Sequence, residues 1–259
     1  MSVIRLLRST GFRALVEREV YRFMCVFKQT ILPPMISSFL FISIFGFFLG
    51  SNLREVQNVS YIEFLIPGLV MMYLIESSYV NTSSSLFIAR WAGHIQEILV
   101  APLSYTEMVL AMILGGVARG LVTAAGVYAV SLVFARTPIL HPWAVVYFSL
   151  FVSLSFASVG MVVGLLANEW EHLSIWTTFV ITPLIYLGGV FHSTQMIPPI
   201  FRGLTYCNPL FYMINGMRYG MLGFSDANVR TSALIVFFFF LILFTVTVYM
   251  FRIGYKLRK

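Results

Sequence analysis

The chain has 259 residues, 59% hydrophobic and 10% charged, with a net charge of +7. A soluble domain carries about 45–50% apolar and about 25% charged residues, so this composition excludes a mostly water-facing surface. The basic excess gathers at the two chain ends, which points to an anionic membrane surface rather than to nucleic acid.

Residues 2–28 interleave Arg5, Arg8, Arg13, Arg18, Arg22 and Lys28 with Leu6, Leu7, Phe12, Leu15, Val20 and Phe23. They lack the short apolar core and small-residue cleavage site of a signal peptide. The pattern predicts an amphipathic interfacial helix with cations toward lipid phosphate; a solvated arm is the plainer alternative. Pro33-Pro34 breaks the chain direction and suits a first helical turn. A first span follows at 33–50, then a polar stretch with Asn52, Arg54, Glu55 and Asn58. Further apolar runs predict spans at 61–86, 105–134, 143–167, 174–191 and 232–251, each near the about 20 residues a crossing needs. The connector 87–104 carries Arg90, His94, Gln96, Glu97 and Pro102, and the tail carries Arg252, Lys256, Arg258 and Lys259. The expected fold is all-α and polytopic, with six transmembrane helices.

Residues 192–231 are too apolar for a free loop and too interrupted, by Pro198, Pro199, Gly203 and Pro209, for a straight span. Two short helices meeting at Asn208-Pro209 fit this stretch. Broken helices at membrane depth need protein or a water-filled cavity around them, which predicts a re-entrant hairpin on the outer side. A pair lying flat on the outer leaflet is the alternative. With six spans both termini share a side. The N-terminal arm, the tail and Arg90 then put 11 Lys/Arg on one side, against Arg54, Arg136, Arg202, Arg218 and Arg230 on the other. The positive-inside rule makes the termini cytoplasmic.

Four GxxxG spacings, Gly46/Gly50, Gly116/Gly120, Gly160/Gly164 and Gly216/Gly220, offer close helix packing, within one chain or between copies. Glu76 and Arg119 fall in mid-span, where a charge costs at least about 2.5–3.5 kcal/mol. They are expected to pair, as a structural bridge or beside a polar pathway. Cys25 and Cys207 fall on opposite sides and are expected to be unpaired thiols. The sequence contains no Walker A, GxSxG or HExxH motif, and no two of its four histidines have metal-ligand spacing. No catalytic residue and no metal site are expected. A membrane enzyme or scaffold would need more titratable groups at one depth than Glu76, Arg119 and His192 provide.

Three stretches carry a family resemblance: Arg90-Trp-Ala-Gly93-His94-Ile95-Gln96-Glu97-Ile-Leu-Val-Ala-Pro102, Leu187-Gly-Gly-Val-Phe191, and Cys207-Asn-Pro-Leu210 with Gly216-Met-Arg218-Tyr. With the basic N-terminal helix and six spans, the chain resembles the permease subunit of ABC-2 type exporters over essentially its whole length. Gln96 departs from the family pattern, where Glu is frequent. The resemblance implies one transmembrane domain over 1–259 in the bacterial inner membrane. It implies a homodimer in a 2+2 complex with a separate cytoplasmic ATPase subunit that binds ATP and magnesium, so this chain needs no cofactor. Arg90, Gly93, His94, Ile95, Gln96 and Glu97 would form the ATPase-coupling segment. Pro198, Pro199, Asn208, Pro209 and Arg218 would belong to an outer gate. Export of a lipidic, amphiphilic or glycan substrate by alternating access is the implied function; an ATP-independent carrier or channel is the alternative.

Overall fold

The computed structural model describes residues 10–46, 55–56 and 59–257. The start of the predicted interfacial helix, Gly50, Asn52, Arg54, Asn58 and the tail cations Arg258 and Lys259 lie outside the described residues. Helix α1 (Thr10–Cys25) leads through a short α2 (Phe27–Thr30) into α3 (Leu32–Ile44). The long helices are α4 (Tyr61–Trp91), α6 (Tyr105–Ser131), α7 (Pro142–Leu166) and α12 (Val229–Arg252). Between them lie the shorter α5 (Ile95–Val100), α8 (Trp170–Trp176), α9 (Thr182–Leu187), α10 (Pro199–Cys207) and α11 (Pro209–Leu222).

Among the described residues, five helical runs are long and apolar enough to cross a membrane: Phe27–Ile44 and the four long helices. Two starts are fixed by capping boxes. The Ser60 hydroxyl accepts from the Glu63 amide while the Glu63 carboxylate accepts from the Ser60 amide, and Ser104 and Glu107 repeat this. Two expectations need correction. The first apolar run starts at Phe27, not at residue 33: the prolines sit in the first turn of α3, and Ile31 and Met35 amides still bond the carbonyls of Phe27 and Ile31. The run predicted at 174–191 occupies 170–187 and is broken. Pro183 offers no N–H, and just ahead of it the Thr182 amide reaches five residues back to the Thr177 carbonyl, opening a π turn at Thr177–Ile181. The fold is nearly all-α, as expected; beside the helices, Glu55–Val56 and Val59–Ser60 pair as a small antiparallel ladder, Glu55 opposite Ser60.

Helix α4 is the centre of the bundle. Its polar ridge of Ser78, Thr82, Ser83 and Ser85 is buried, and glycines on both sides let neighbours close on it. A Cβ on Gly116 of α6 would come within 2.7 Å of the Thr82 methyl, and one on Gly164 of α7 within 2.9 Å of the Ser83 carbonyl. Gly120 faces Ser78, and Gly160 faces Thr82 and Tyr79. The Thr82 hydroxyl donates to the Ala157 carbonyl of α7 at 2.8 Å, and the Tyr79 hydroxyl to the Leu173 carbonyl at 3.0 Å. Gly220 of α11 meets Val145 of α7, and Gly216 meets Phe148. These three spacings serve packing within the chain. A second apolar cluster joins Phe12 and Leu15 of α1, Ile95 and Ile98 of α5, and Phe251 and Leu257 near the C-terminus. Helix α1, the 90–102 segment and the tail therefore share one end of the bundle.

Candidate functional site

The 90–102 segment is held by its apolar side and presents its polar side. Gly93, at φ +80°, ends α4 with a turn that glycine favours, and α5 follows. Ile95 and Ile98 are buried, while His94, Gln96 and Glu97 are exposed, with His94 Nδ1 3.5 Å from Glu97 Oε1. Arg90 anchors the segment. Its Nη1 donates to the carbonyls of Gly164, Leu165 and Ala167 at 2.7, 2.8 and 3.1 Å, and its Nε to the Lys256 carbonyl at 2.8 Å. The last carbonyls of α7 have no intrahelical donor and carry partial negative charge, so a guanidinium is a fitting cap. Lys256 adds bonds to the Leu166 carbonyl and Asn168 Oδ1. A cavity of about 400 Å³ lies between segment and tail, lined by Arg90, Trp91, Gln96, Asn168 and Lys256 among others.

At the opposite end, α10 and α11 meet at Asn208, as the sequence predicts. Pro198 and Pro199 start α10, and Pro209 starts α11. Asn208 caps α11 by accepting from the Leu210 amide at 3.0 Å, and its Nδ2 donates to the Leu184 carbonyl of α9 at 2.6 Å. Arg218 is 1% exposed. Its Nη2 donates to the Gly189 carbonyl at 2.7 Å, its Nη1 lies 3.6 Å from Asp226 Oδ2, and its guanidinium stacks 4.1 Å from the Phe64 ring centre. Asp226 accepts from Ser193 Oγ at 3.0 Å and from the Thr194 amide at 3.2 Å. Asn215 receives the Asp226 amide at 2.7 Å and donates to the Ala227 carbonyl and Ser232 Oγ. One network thus ties α11, α12, the loop after α9 and the start of α4. His192 lies beside it; burial, then the Arg218 charge, hold its imidazole below the ordinary value, against an opposing pull from Asp226.

Glu76 and Arg119 do not pair among the described residues. The reason is helical phase. Leu74, Ser78 and Thr82 form the face of α4 that meets Gly116 and Gly120, and Glu76 lies half a turn away from that face. It sits instead on the side of Tyr73, whose own neighbours include Ser37 of α3 and Tyr186 of α9. Arg119 lies one turn from Gly115, which packs on Glu19 of α1. Its charged neighbour is Arg22 of α1. Arg22 Nη2 donates to the Asn81 carbonyl at 2.7 Å and to Asn81 Oδ1 at 3.0 Å. Glu19, fully buried, accepts from Arg18 Nη2 at 2.9 Å and from Ser85 Oγ at 2.7 Å, with Arg22 Nε at 3.5 Å. Burial lowers the affinity of Arg22 for its proton, and Glu19 partly restores it.

These geometries sit on a sequence that matches the ABC-2 type transporter family over residues 10–222, from α1 through the 90–102 segment to the Asn208–Arg218 stretch. The chain belongs to that family. The inner membrane transport permease YadH of Escherichia coli (strain K12) is 39% identical over 230 residues, covering 88% of this chain and 90% of that protein. Nodulation protein J of Sinorhizobium fredii is 28% identical over 199 residues, 74% of each chain. Nodulation protein J of Rhizobium meliloti is 29% identical over 180 residues, 68% of this chain and 67% of that one. This chain is an ABC-2 transporter permease, a membrane protein with a role in transport.

In this permease, sequence reasoning singled out Arg90 and Arg218 but missed what they hold. Asp226 was findable: it is the one acidic residue after Glu171, and a buried Arg218 needs a carboxylate. The carbonyls of Gly164 and Gly189 were not, since any residue supplies a carbonyl. Asn81 and Glu19 hid in runs that read as span interior and basic arm. Cys25 and Cys207 are free and exposed.

Proposed function

We propose that this permease is the transmembrane half of an ATP-driven exporter, acting as a homodimer on a separate cytoplasmic ATPase subunit. The observation that carries the reading is the anchored 90–102 segment: His94, Gln96 and Glu97 face outward from a short helix whose root, Arg90, grips the end of α7. A push on that surface is passed to α7 and, through the glycine contacts, to α4. ATP and magnesium belong to the ATPase, which returns the permease between inward- and outward-open states. The broken run 170–187 counts as the sixth crossing, with both termini cytoplasmic and α10–α11 forming an outer gate over the path. Glu76, without an ion-pair partner among the described residues and on the side of Tyr73, faces that path. The substrate class is lipidic, amphiphilic or glycan, and the few polar side chains on α3 and α9 favour an amphiphile.

The test is co-purification with the ATPase encoded alongside the permease. Glu97→Arg is expected to abolish complex formation at unchanged thermal stability, because Glu97 is exposed and makes only a surface ion pair. A stable complex that ignores Glu97→Arg and Gln96→Arg, or transport by the permease alone, overturns the reading. The two native thiols test the topology in intact cells. An impermeant maleimide should label Cys207 and spare Cys25; the reverse pattern inverts the orientation.

A further inference from the structure

The junction of α1, α4 and α6 has more cations than its one buried carboxylate can serve. Both oxygens of Glu19 are taken, by Arg18, Ser85 and Arg22. The Arg119 guanidinium makes no hydrogen bond or ion pair among the described residues, and its Nε is buried. Asn81 is fully buried; its oxygens accept from Arg22, and its Nδ2 has no hydrogen-bond partner among the described residues. Arg22, Asn81 and Arg119 thus each keep a buried N–H without a hydrogen-bond acceptor among the described residues. Asn81 Nδ2 would lie 3.5 Å from a Cβ on Gly115, where α1 and α6 touch, and Arg119 follows Gly115 by one turn of α6. A buried donor left bare costs about 1–3 kcal/mol and a charged one more. An acceptor with negative charge relieves both at once. The junction opens sideways: the Arg22 side chain is 32% exposed. Tyr21 and Met24 of α1 and Leu121 and Val122 of α6 flank it as exposed apolar side chains. A free inorganic anion has no use for that apolar surround, whereas an amphiphile matches both parts.

We propose that Arg119, Arg22 and Asn81 form a headgroup site for a phosphate-bearing amphiphile, with its chain lying along α1 and α6. The proposal rests on the reading that α1 lies at the membrane interface, and it does not need the ATPase. The amphiphile comes either from the surrounding bilayer or from the transported pool.

The test uses the purified full-length permease in detergent, with lysophosphatidic acid and the monoacylglycerol of the same chain as probes. Wild type is expected to prefer the phosphate-bearing probe. Arg119→Gln should weaken that probe by about tenfold, the worth of one charge-assisted hydrogen bond, and leave monoacylglycerol unmoved. Arg119→Lys should retain part of the binding. Glu19→Gln, which removes a competing anion, should tighten it; a merely structural cluster would lose stability there and gain no affinity. Since Arg119 has no partner among the described residues to orphan, Arg119→Gln should melt no lower than wild type. Phosphatidylglycerol retained through native mass spectrometry in wild type but not in Arg119→Gln marks the bilayer as the source. A lipid-free permease that still discriminates the probes marks the transported pool. Equal binding of both probes, or equal binding by wild type and Arg119→Gln, overturns the site and indicates that water alone fills the junction. A permease that discriminates the probes yet never binds an ATPase would keep the site and remove the exporter reading.

Discussion

The two polar clusters of this permease solve the problem of burying arginine in opposite ways. At the end of the bundle that holds the start of α4, Arg218 has a carboxylate, a carbonyl and an aromatic face, and the carboxylate has its own donors. Midway along α6, Arg119 has no hydrogen-bond or ion-pair partner among the described residues, and a charged neighbour is another arginine, Arg22. Desolvating a charge is costly wherever it occurs, and breaking a satisfied buried pair costs about 3–5 kcal/mol. The closed cluster therefore holds structure together. The open one keeps binding capacity in reserve.

The comparison is broken most severely at Arg218. Arg218→Leu leaves Asp226 buried without its cation, and the thermal stability of the detergent-purified protein should fall by about 3–5 kcal/mol. The double variant with Asp226→Asn should recover part of that loss; additive losses would show that the pair is not coupled. Next in size is the glycine contact between α6 and α4. Gly116→Val forces a side chain into the Thr82 methyl and Ala157, and should destabilise by about 1–3 kcal/mol on thermal unfolding. Arg90→Gln removes a charge-assisted cap from α7 and should cost about 1.5 kcal/mol on thermal unfolding.

A smaller effect separates the clusters by pH. His192 is held below its ordinary value in the folded state, so the unfolded chain binds the proton more readily. Stability should fall as pH drops through about 6.5 and below, by less than the about 1.4 kcal/mol per pH unit that one proton allows. His192→Asn should flatten the melting-temperature profile between pH 7.5 and 5.5. A slope that persists in this variant would place the titrating group elsewhere. The smallest change is expected at the exposed His94–Glu97 pair, where Glu97→Ala should alter stability by no more than a few tenths of a kcal/mol.

Much of the fold was legible. Apolar runs bounded by Ser60-x-x-Glu63, Ser104-x-x-Glu107 and Pro142 carry their own start signals, and four of the long helices begin close to where the sequence places them. The turn at Asn208-Pro209 was legible for the same reason: proline and an Asx cap act locally. The break at Pro183 was missed because proline inside an apolar run kinks or stops a helix according to what packs around it. The Glu76–Arg119 pair failed because depth along a span says nothing about the direction a side chain faces.

Composition and local chemistry by themselves determined a polytopic helical membrane protein, the positions of most helix starts, the two unpaired thiols and the residues on which family membership turns. Tertiary structure decided the partners. Which charge meets which depends on the rotation of each helix about its axis. That rotation is set by Gly115, Gly116, Gly120, Gly160 and Gly164 closing on α4, contacts between residues far apart in the chain. So the sequence could mark Glu76 and Arg119 as costly to bury, and Arg218 as part of a gate. Only the packing showed that Arg218 meets Asp226 and that Arg119 meets no carboxylate among the described residues.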